Sequence, residues 1–250
     1  MDYNIRQCPI CNNEEKAHIV FVEKNEKVNR IKCELCGLIY FDSNTYPQPT
    51  YDLKYNRFFR RPGDIRKAGV LAALIGELLE LHFIDPSFLE VGPGNGLTSF
   101  LIQQQGYRVE AIDMSWEACY NLGERLGVCA WPGRFENSEL MNKYDFIYAG
   151  HVLEHSEDPK LFFSKAYEKL KPNGIFFFDT PDNHHAAKQG SKWKHFRTRN
   201  PYEHCSLMHR ITIEKLAKLT SFKVENVMTL PTFESMQVLL RKKNNEPSII

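Results

Sequence analysis

The chain lacks any excess of one charge: 32 Lys and Arg stand against 31 Asp and Glu in 250 residues. A chain so balanced has no global field to draw it onto nucleic acid or an anionic membrane, so neither is expected as a partner. It also lacks an apolar run of the ~18–20 residues that span a bilayer. The best stretch, Val70 to Leu81, carries Glu77 and Glu80. The opening residues, MDYNIRQCP, hold no apolar core of a secretory signal, and a cytoplasmic location is expected. Glycine (14) and proline (13) are too few for collagen or a low-complexity polymer, and no internal repeat is visible. What is present, 42% hydrophobic and 25% charged residues, is the composition of a folded domain and excludes wholesale disorder. The length suits one medium domain with a small appendage.

Seven cysteines is an odd count, and without an export signal it favours thiols or metal ligands over a disulfide framework. Four of them pair: Cys8 and Cys11 form CPIC, and Cys33 and Cys36 form CELC, with 21 residues between the pairs. A C-x-x-C knuckle aims two thiolates at one ion, and two knuckles supply the four soft ligands of tetrahedral zinc. Gly37 permits the left-handed turn such a knuckle needs. Between them, AHIVFVEK and VNRIKC alternate as a hairpin with KNEK as its turn, which makes a zinc ribbon. A redox dithiol explains one pair and leaves the other as coincidence. Four cysteines close the site, so this zinc is expected to be structural.

The expected domains are a zinc ribbon over 1–45, a connector over 46–64, a main domain over 65–243 and a flexible tail over 244–250. The connector combines Pro47, Pro49 and Pro62 with Tyr46, Tyr51, Tyr55, Phe58 and Phe59. It reads as an ordered strap or as a lid over a ligand. Residues 65–82 carry apolar side chains at helical spacing. From Pro86 the pattern alternates strand and helix: FLEVG, a helix over 97–105, YRVEAID, a helix capped by Ser115 to about Leu126, VCAW, YDFIYAG, a helix over 159–170, and GIFFFDT. A helix opening at Thr212 follows, then FKVENVMTL and FESMQVLLRK. The fold class is α/β: a Rossmann-like, seven-stranded, mostly parallel sheet whose last strand is reversed.

In such sheets the ligand lies at the carboxyl ends of the strands, where strand order reverses. The first of these strands runs into Glu90-Val91-Gly92-Pro93-Gly94-Asn95-Gly96. The dinucleotide pattern needs a glycine at position 97, where this chain has Leu97. The G-x-G-x-G pattern suits a ligand without a pyrophosphate. Nineteen residues past Gly94, Asp113 ends the next strand, where a carboxylate can accept from both hydroxyls of a ribose.

On LEVGPGNG, AIDMS, YDFIYAGHVLEHSEDP and LKPNGIFFFDTPD, the sequence resembles class I S-adenosylmethionine-dependent methyltransferases over about residues 65–241. The branch it is similar to is the small-molecule one that includes ubiquinone-biosynthesis-like enzymes. The N-terminal ribbon and aromatic connector are similar to relatives that modify sugars or natural-product intermediates. The resemblance implies S-adenosylmethionine as cofactor. Gly92, Gly94 and Gly96 would form the loop under it, and Glu90 would orient that loop and reach the methionine ammonium through water. Asp113 would hold the ribose. Met114, Gly133, Arg134 and Phe135 would line the adenine, and Gly150 and His151 the methionine end. Ordinary core packing is the competing role for Met114 and Phe135. Lys171-Pro172-Asn173-Gly174 stands where the family has K-P-G-G.

The sulfonium is already an activated electrophile, so the protein's task is alignment, exclusion of water and, for a hydroxyl or carbon acceptor, a general base. Candidate bases are His204, then His155 and His209, with His204 in a histidine- and aromatic-rich segment over 184–209. That region is locally basic: Ala186 to Lys215 carries a formal +5. This is either a solvated face or a site for an anionic substrate such as a nucleotide-linked sugar. The expected function is methyl transfer to a small molecule. A methyltransferase acting on RNA or protein, docked through the ribbon, and an inactive cofactor-binding scaffold are the alternatives.

Overall fold

The computed structural model describes residues 6–13, 15–23, 28–42, 62–184, 204–230 and 234–243. The expected hairpin turn KNEK, nearly all of the 46–64 connector, the basic residues Lys188 to Arg199 and the 244–250 tail lie outside the described residues. The chain divides into two compact units. One comprises Met1–Pro49, His151–Ser164 and Phe178–Leu240, and the other Thr50–Gly150, Lys165–Phe177 and Arg241–Ile250.

The strands are β1 (Ala17–Glu23), β2 (Val28–Cys33), β3 (Ile39–Phe41), β4 (Ser87–Val91), β5 (Arg108–Asp113), β6 (Cys129–Pro132), β7 (Tyr144–Gly150), β8 (Leu170–Pro181), β9 (Ser206–Leu207), β10 (Phe222–Leu230) and β11 (Ser235–Lys242). The helices are α1 (Pro62–His82), α2 (Leu97–Gln104), α3 (Trp116–Asn121), α4 (Pro159–Lys169) and α5 (Arg210–Leu219). The large sheet has the expected seven strands in the order β10-β11-β8-β7-β4-β5-β6. β4 pairs in parallel with β5 and β7, and β5 with β6. The order reverses between β4 and β7, which is the switch point of the sheet. β10 and β11 are neighbours joined by a short connection, which only an antiparallel pair allows.

The central strands are apolar on both faces, as a covered parallel sheet requires. Phe88, Leu89, Phe146 and Ile147 are wholly buried, and the Phe88 and Phe146 rings stack at 5.9 Å. Ser115 caps α3 as expected, accepting from the Ala118 amide at 3.2 Å. The helix then widens to a π-turn over Leu122–Leu126 and ends at Gly127 with φ 65°. Asn173 takes the left-handed backbone, φ 62°, which asparagine tolerates better than most residues. Helix α5 starts earlier than expected. His209 is its cap, and Thr212 is the third helical residue, whose hydroxyl accepts from the His209 amide at 3.1 Å.

Near the N-terminus β1 and β2 pair antiparallel, as the alternating pattern requires. Two-residue β9, invisible in the sequence, extends this hairpin: Ile39 pairs with Leu207 and Tyr40 with Ser206. The cysteine-bearing segment is thus completed by residues from far along the chain.

Candidate functional site

The glycine turn leaves buried strand β4 and enters α2. Gly92, Gly94 and Gly96 all have left-handed backbone, with φ of 66°, 56° and 71°. Gly96 is the N-cap of α2, and the side-chain oxygen of Asn95 before it accepts from the Leu97 amide at 3.1 Å. The glycines differ in surroundings. A Cβ at Gly96 would lie 2.9 Å from Leu122 Cγ, so this glycine serves packing. A Cβ at Gly94 would meet no protein atom within 4 Å, so packing does not account for this glycine. Glu90, buried beneath the turn, accepts from the Ser99 hydroxyl. Burial, with the charge of Asp113, pushes its carboxyl up to about 7, against the Ser99 hydrogen bonds.

Asp113 closes β5. Its Oδ1 accepts from the Ser115 amide at 2.8 Å. Burial raises its carboxyl pKa, while the Ser115 and Gly94 amides oppose the rise. Gly133, φ 140°, donates its amide to the Asp113 main-chain carbonyl at 2.8 Å, tying the segment after β6 to the end of β5. Met114 is 43% exposed, whereas Phe135 is buried and so offers little ring surface. Exposed Trp116 and Tyr120, which sequence reasoning did not single out, stack at 5.2 Å one turn apart on α3. Their signal was an i, i+4 aromatic pair directly after Asp113. At Gly150 a Cβ would overlap the Tyr148 hydroxyl, so the end of β7 admits no side chain.

A second constellation follows β7. His151 carries left-handed backbone at φ 55°, unusual for a residue with a side chain, held by its amide bond to the Asp179 carbonyl at 2.9 Å. Its Nδ1 lies 3.1 Å from one oxygen of Glu154, and the Thr180 hydroxyl donates to the other at 3.2 Å. Glu154 is wholly buried. Burial alone would raise its pKa, but the His151 hydrogen bond and the charges of His151, His155 and His204 outweigh it and hold the carboxyl low. The His155 and His204 rings meet edge to face at 5.0 Å. Glu154, His155 and His204 offer ligand atoms that all lie within 4.8 Å of one another.

The sequence therefore named three members of this cluster and missed the acid that joins them. Glu154 was legible only as an acid inside HVLEH, with nothing to mark it as buried. His209 stands elsewhere. Its Nδ1 accepts from the Ile211 amide at 3.2 Å and its ring meets His184 at 5.4 Å. Burial lowers its pKa, and a capping nitrogen already engaged is poorly placed to take a substrate proton.

The four knuckle cysteines come together. Cys8 and Cys36 sulfurs are 3.5 Å apart, as are those of Cys11 and Cys33. All four sulfurs lie within 4.8 Å of one another, close to the ~3.8 Å edge that ~2.3 Å bonds to tetrahedral zinc dictate. The knuckles repeat one geometry. Asn12 donates its amide to the Cys8 carbonyl at 2.9 Å, and Gly37 to Cys33 at 2.8 Å, both with left-handed backbone. The hydrogen bond from Cys36 brings the Cys8 thiol down to about 5, while Cys36 and Cys11 are pushed up. Four thiols so crowded cannot all ionise without a cation among them, so the donor set fits zinc.

A left-handed glycine turn at the switch point, followed by a carboxylate at the end of the next strand, is the arrangement that nucleotide-binding α/β sheets use. The chain belongs to the family described as Methyltransferase domain, whose model matches residues 63–227. It is 30% identical over 112 residues to a ubiquinone biosynthesis O-methyltransferase of Rickettsia typhi, covering 42% of this chain and 46% of that protein. It thus spans about half the length of that relative. A histone-arginine methyltransferase of Drosophila persimilis is 30% identical over 132 residues, 48% of this chain and 24% of that protein. Among solved structures, an S-adenosylmethionine-dependent methyltransferase from Clostridium acetobutylicum superposes with a TM-score of 0.54 at 15% identity, covering 78% and 94% of the two chains. That likeness speaks to the fold alone. Among the described residues no helix is long and apolar enough to cross a membrane.

Proposed function

We propose that the chain transfers a methyl group from S-adenosylmethionine to a hydroxyl of a small molecule. The observation that carries the cofactor reading is the left-handed glycine turn at the end of β4, whose Gly94 amide faces Asp113. Gly92 and Gly94 let the backbone approach the cofactor, and Asp113 accepts from its ribose. Glu90 fixes the turn through Ser99 and, at a pKa near neutrality, adjusts its charge to the cofactor's ammonium. When bound, the sulfonium supplies an electrophilic methyl that needs no further activation. Family membership and the small-molecule relatives support the acceptor class.

His204 is the proposed general base, with His155 beside it. Buried Glu154, held anionic, stabilises the imidazolium that forms when His204 takes the acceptor's proton. A divalent cation is the second reading, favoured by the mutual 4.8 Å spacing of the Glu154, His155 and His204 ligand atoms. It would lower the acceptor's pKa in place of the base. The basic region around 186–215 supports an anionic acceptor, although Arg210 pairs with Glu214 at 2.9 Å.

S-adenosylhomocysteine should raise the melting temperature, and Asp113→Ala should remove most of the rise. Stabilisation by NAD and not by S-adenosylhomocysteine would overturn the cofactor assignment. Turnover that survives EDTA would decide for the base against the cation.

A further inference from the structure

We infer that the four-cysteine centre positions His204, acting through Arg30; the inference rests on the reading of His204 as the proton acceptor. Arg30 lies in β2, three residues before Cys33, and is wholly buried. Its Nη1 donates to the His204 carbonyl at 2.8 Å, and its guanidinium sits 4.4 Å over the Phe41 ring. Burying a guanidinium is costly, so the fold tolerates it only where its planar donors are used. Here one donor holds the backbone of the residue that carries the candidate base.

Two further tethers run from the second knuckle into the same region. Thr212 donates its hydroxyl to the Cys36 carbonyl at 2.7 Å. Asn183 bridges the Gly37 carbonyl at 2.9 Å and the Leu207 carbonyl at 2.8 Å. β3, paired to β2 at Arg30↔Phe41, pairs in turn with β9 beginning two residues after His204. From there Ser206 donates to the Ser156 carbonyl at 2.8 Å and Cys205 to the Glu154 carbonyl at 3.6 Å. The knuckle thus fixes Asn183, His204 and Thr212 at once, and His204 is set against His155 and Glu154. A centre that served only to close its own hairpin would need none of these bonds. Zinc, by holding Cys33 and Cys36, would hold the origin of all three tethers.

The test uses full-length, zinc-loaded protein and follows the histidine ring signals by NMR at one pH, with His82 as internal control. Arg30→Met should move the His204 signal, since the bond that holds its main-chain carbonyl is lost. Arg30→Lys, which keeps a charged donor, should bring it back toward wild type. Zinc content should stay within about twofold, because Arg30 is not one of the four cysteine ligands. Removing zinc from wild-type protein with a chelator should displace the His204 signal as Arg30→Met does. An Arg30→Met protein that folds and leaves His204 unmoved would overturn the inference. If that variant does not fold, an unmoved His204 signal on zinc removal overturns it instead, as does wild-type protein that carries no zinc. None of these readouts uses turnover, so failure of the proposed general base, seen in His204→Ala, is distinguishable from failure of its positioning.

Discussion

Two of the three turn glycines should respond to alanine in opposite ways. Both have left-handed backbone, which costs a residue with a side chain ~1–2 kcal/mol. At Gly96 the new methyl would also lie 2.9 Å from Leu122 Cγ and 3.1 Å from the Cδ1 atoms of Leu122 and Leu126. Leu122 is wholly buried and sits in the π-turn, so it cannot swing away. Overpacking of that kind adds ~1–3 kcal/mol, for a total of ~2–5 kcal/mol. A chain of this size loses ~2–4 °C per kcal/mol, so Gly96→Ala should melt roughly 4–20 °C lower. Gly94→Ala has only the backbone term, roughly 2–8 °C, because nothing lies within 4 Å of the new methyl. Ligand binding should reverse the ranking. At a hundred times Kd, S-adenosylhomocysteine stabilises by ~2.7 kcal/mol. A methyl at Gly94 that weakens binding about a hundredfold leaves ~0.4 kcal/mol, a shift of only ~1–2 °C. Differential scanning fluorimetry with and without S-adenosylhomocysteine reads both quantities. A Gly94→Ala protein that keeps the full ligand shift, or a Gly96→Ala protein no less stable than it, would refute the division of roles.

Glu90, with its folded pKa raised to about 7, binds a proton that the unfolded chain has already lost. Its contribution to stability is therefore present at low pH and is lost as pH rises between about 4.5 and about 7, by ~3 kcal/mol. Denaturant melts of wild type and Glu90→Gln across that window should converge in slope if this is wrong. Purified protein should hold ~1 zinc per chain by metal analysis, and Cys33→Ser should lose most of it. His204→Ala should lower turnover by ~10²–10⁴ with cofactor affinity nearly unchanged, as calorimetry and initial rates would show.

What the sequence could reveal was set by the range of each interaction. The alternation of strand and helix, the paired knuckles, the glycine turn and Asp113 are local or obey a fixed spacing, and each was readable. Ser115 announced its cap because an N-cap is a contact across three residues. β9 was not readable: two residues carry no periodicity, and only their pairing with Ile39 and Tyr40 makes them a strand. Glu154 and Arg30 looked like ordinary surface charges, because burial of a charge depends on partners remote in sequence. The structural role of His209 was hidden for the same reason. Its cap was visible only once Thr212 and Ile211 were seen around it.

The pairing of residue 39 with residue 207 also has a consequence during synthesis. Both knuckles leave the ribosome early and can take up metal at once, yet β3 has no partner on its outer edge until most of the chain has followed. For that interval it is an open strand edge, a template for other nascent chains. Early zinc capture would keep the waiting hairpin closed and its apolar side covered. A cell short of zinc would then be expected to yield aggregated product before it yields inactive enzyme, and a chain truncated before residue 206 would carry the same hazard permanently.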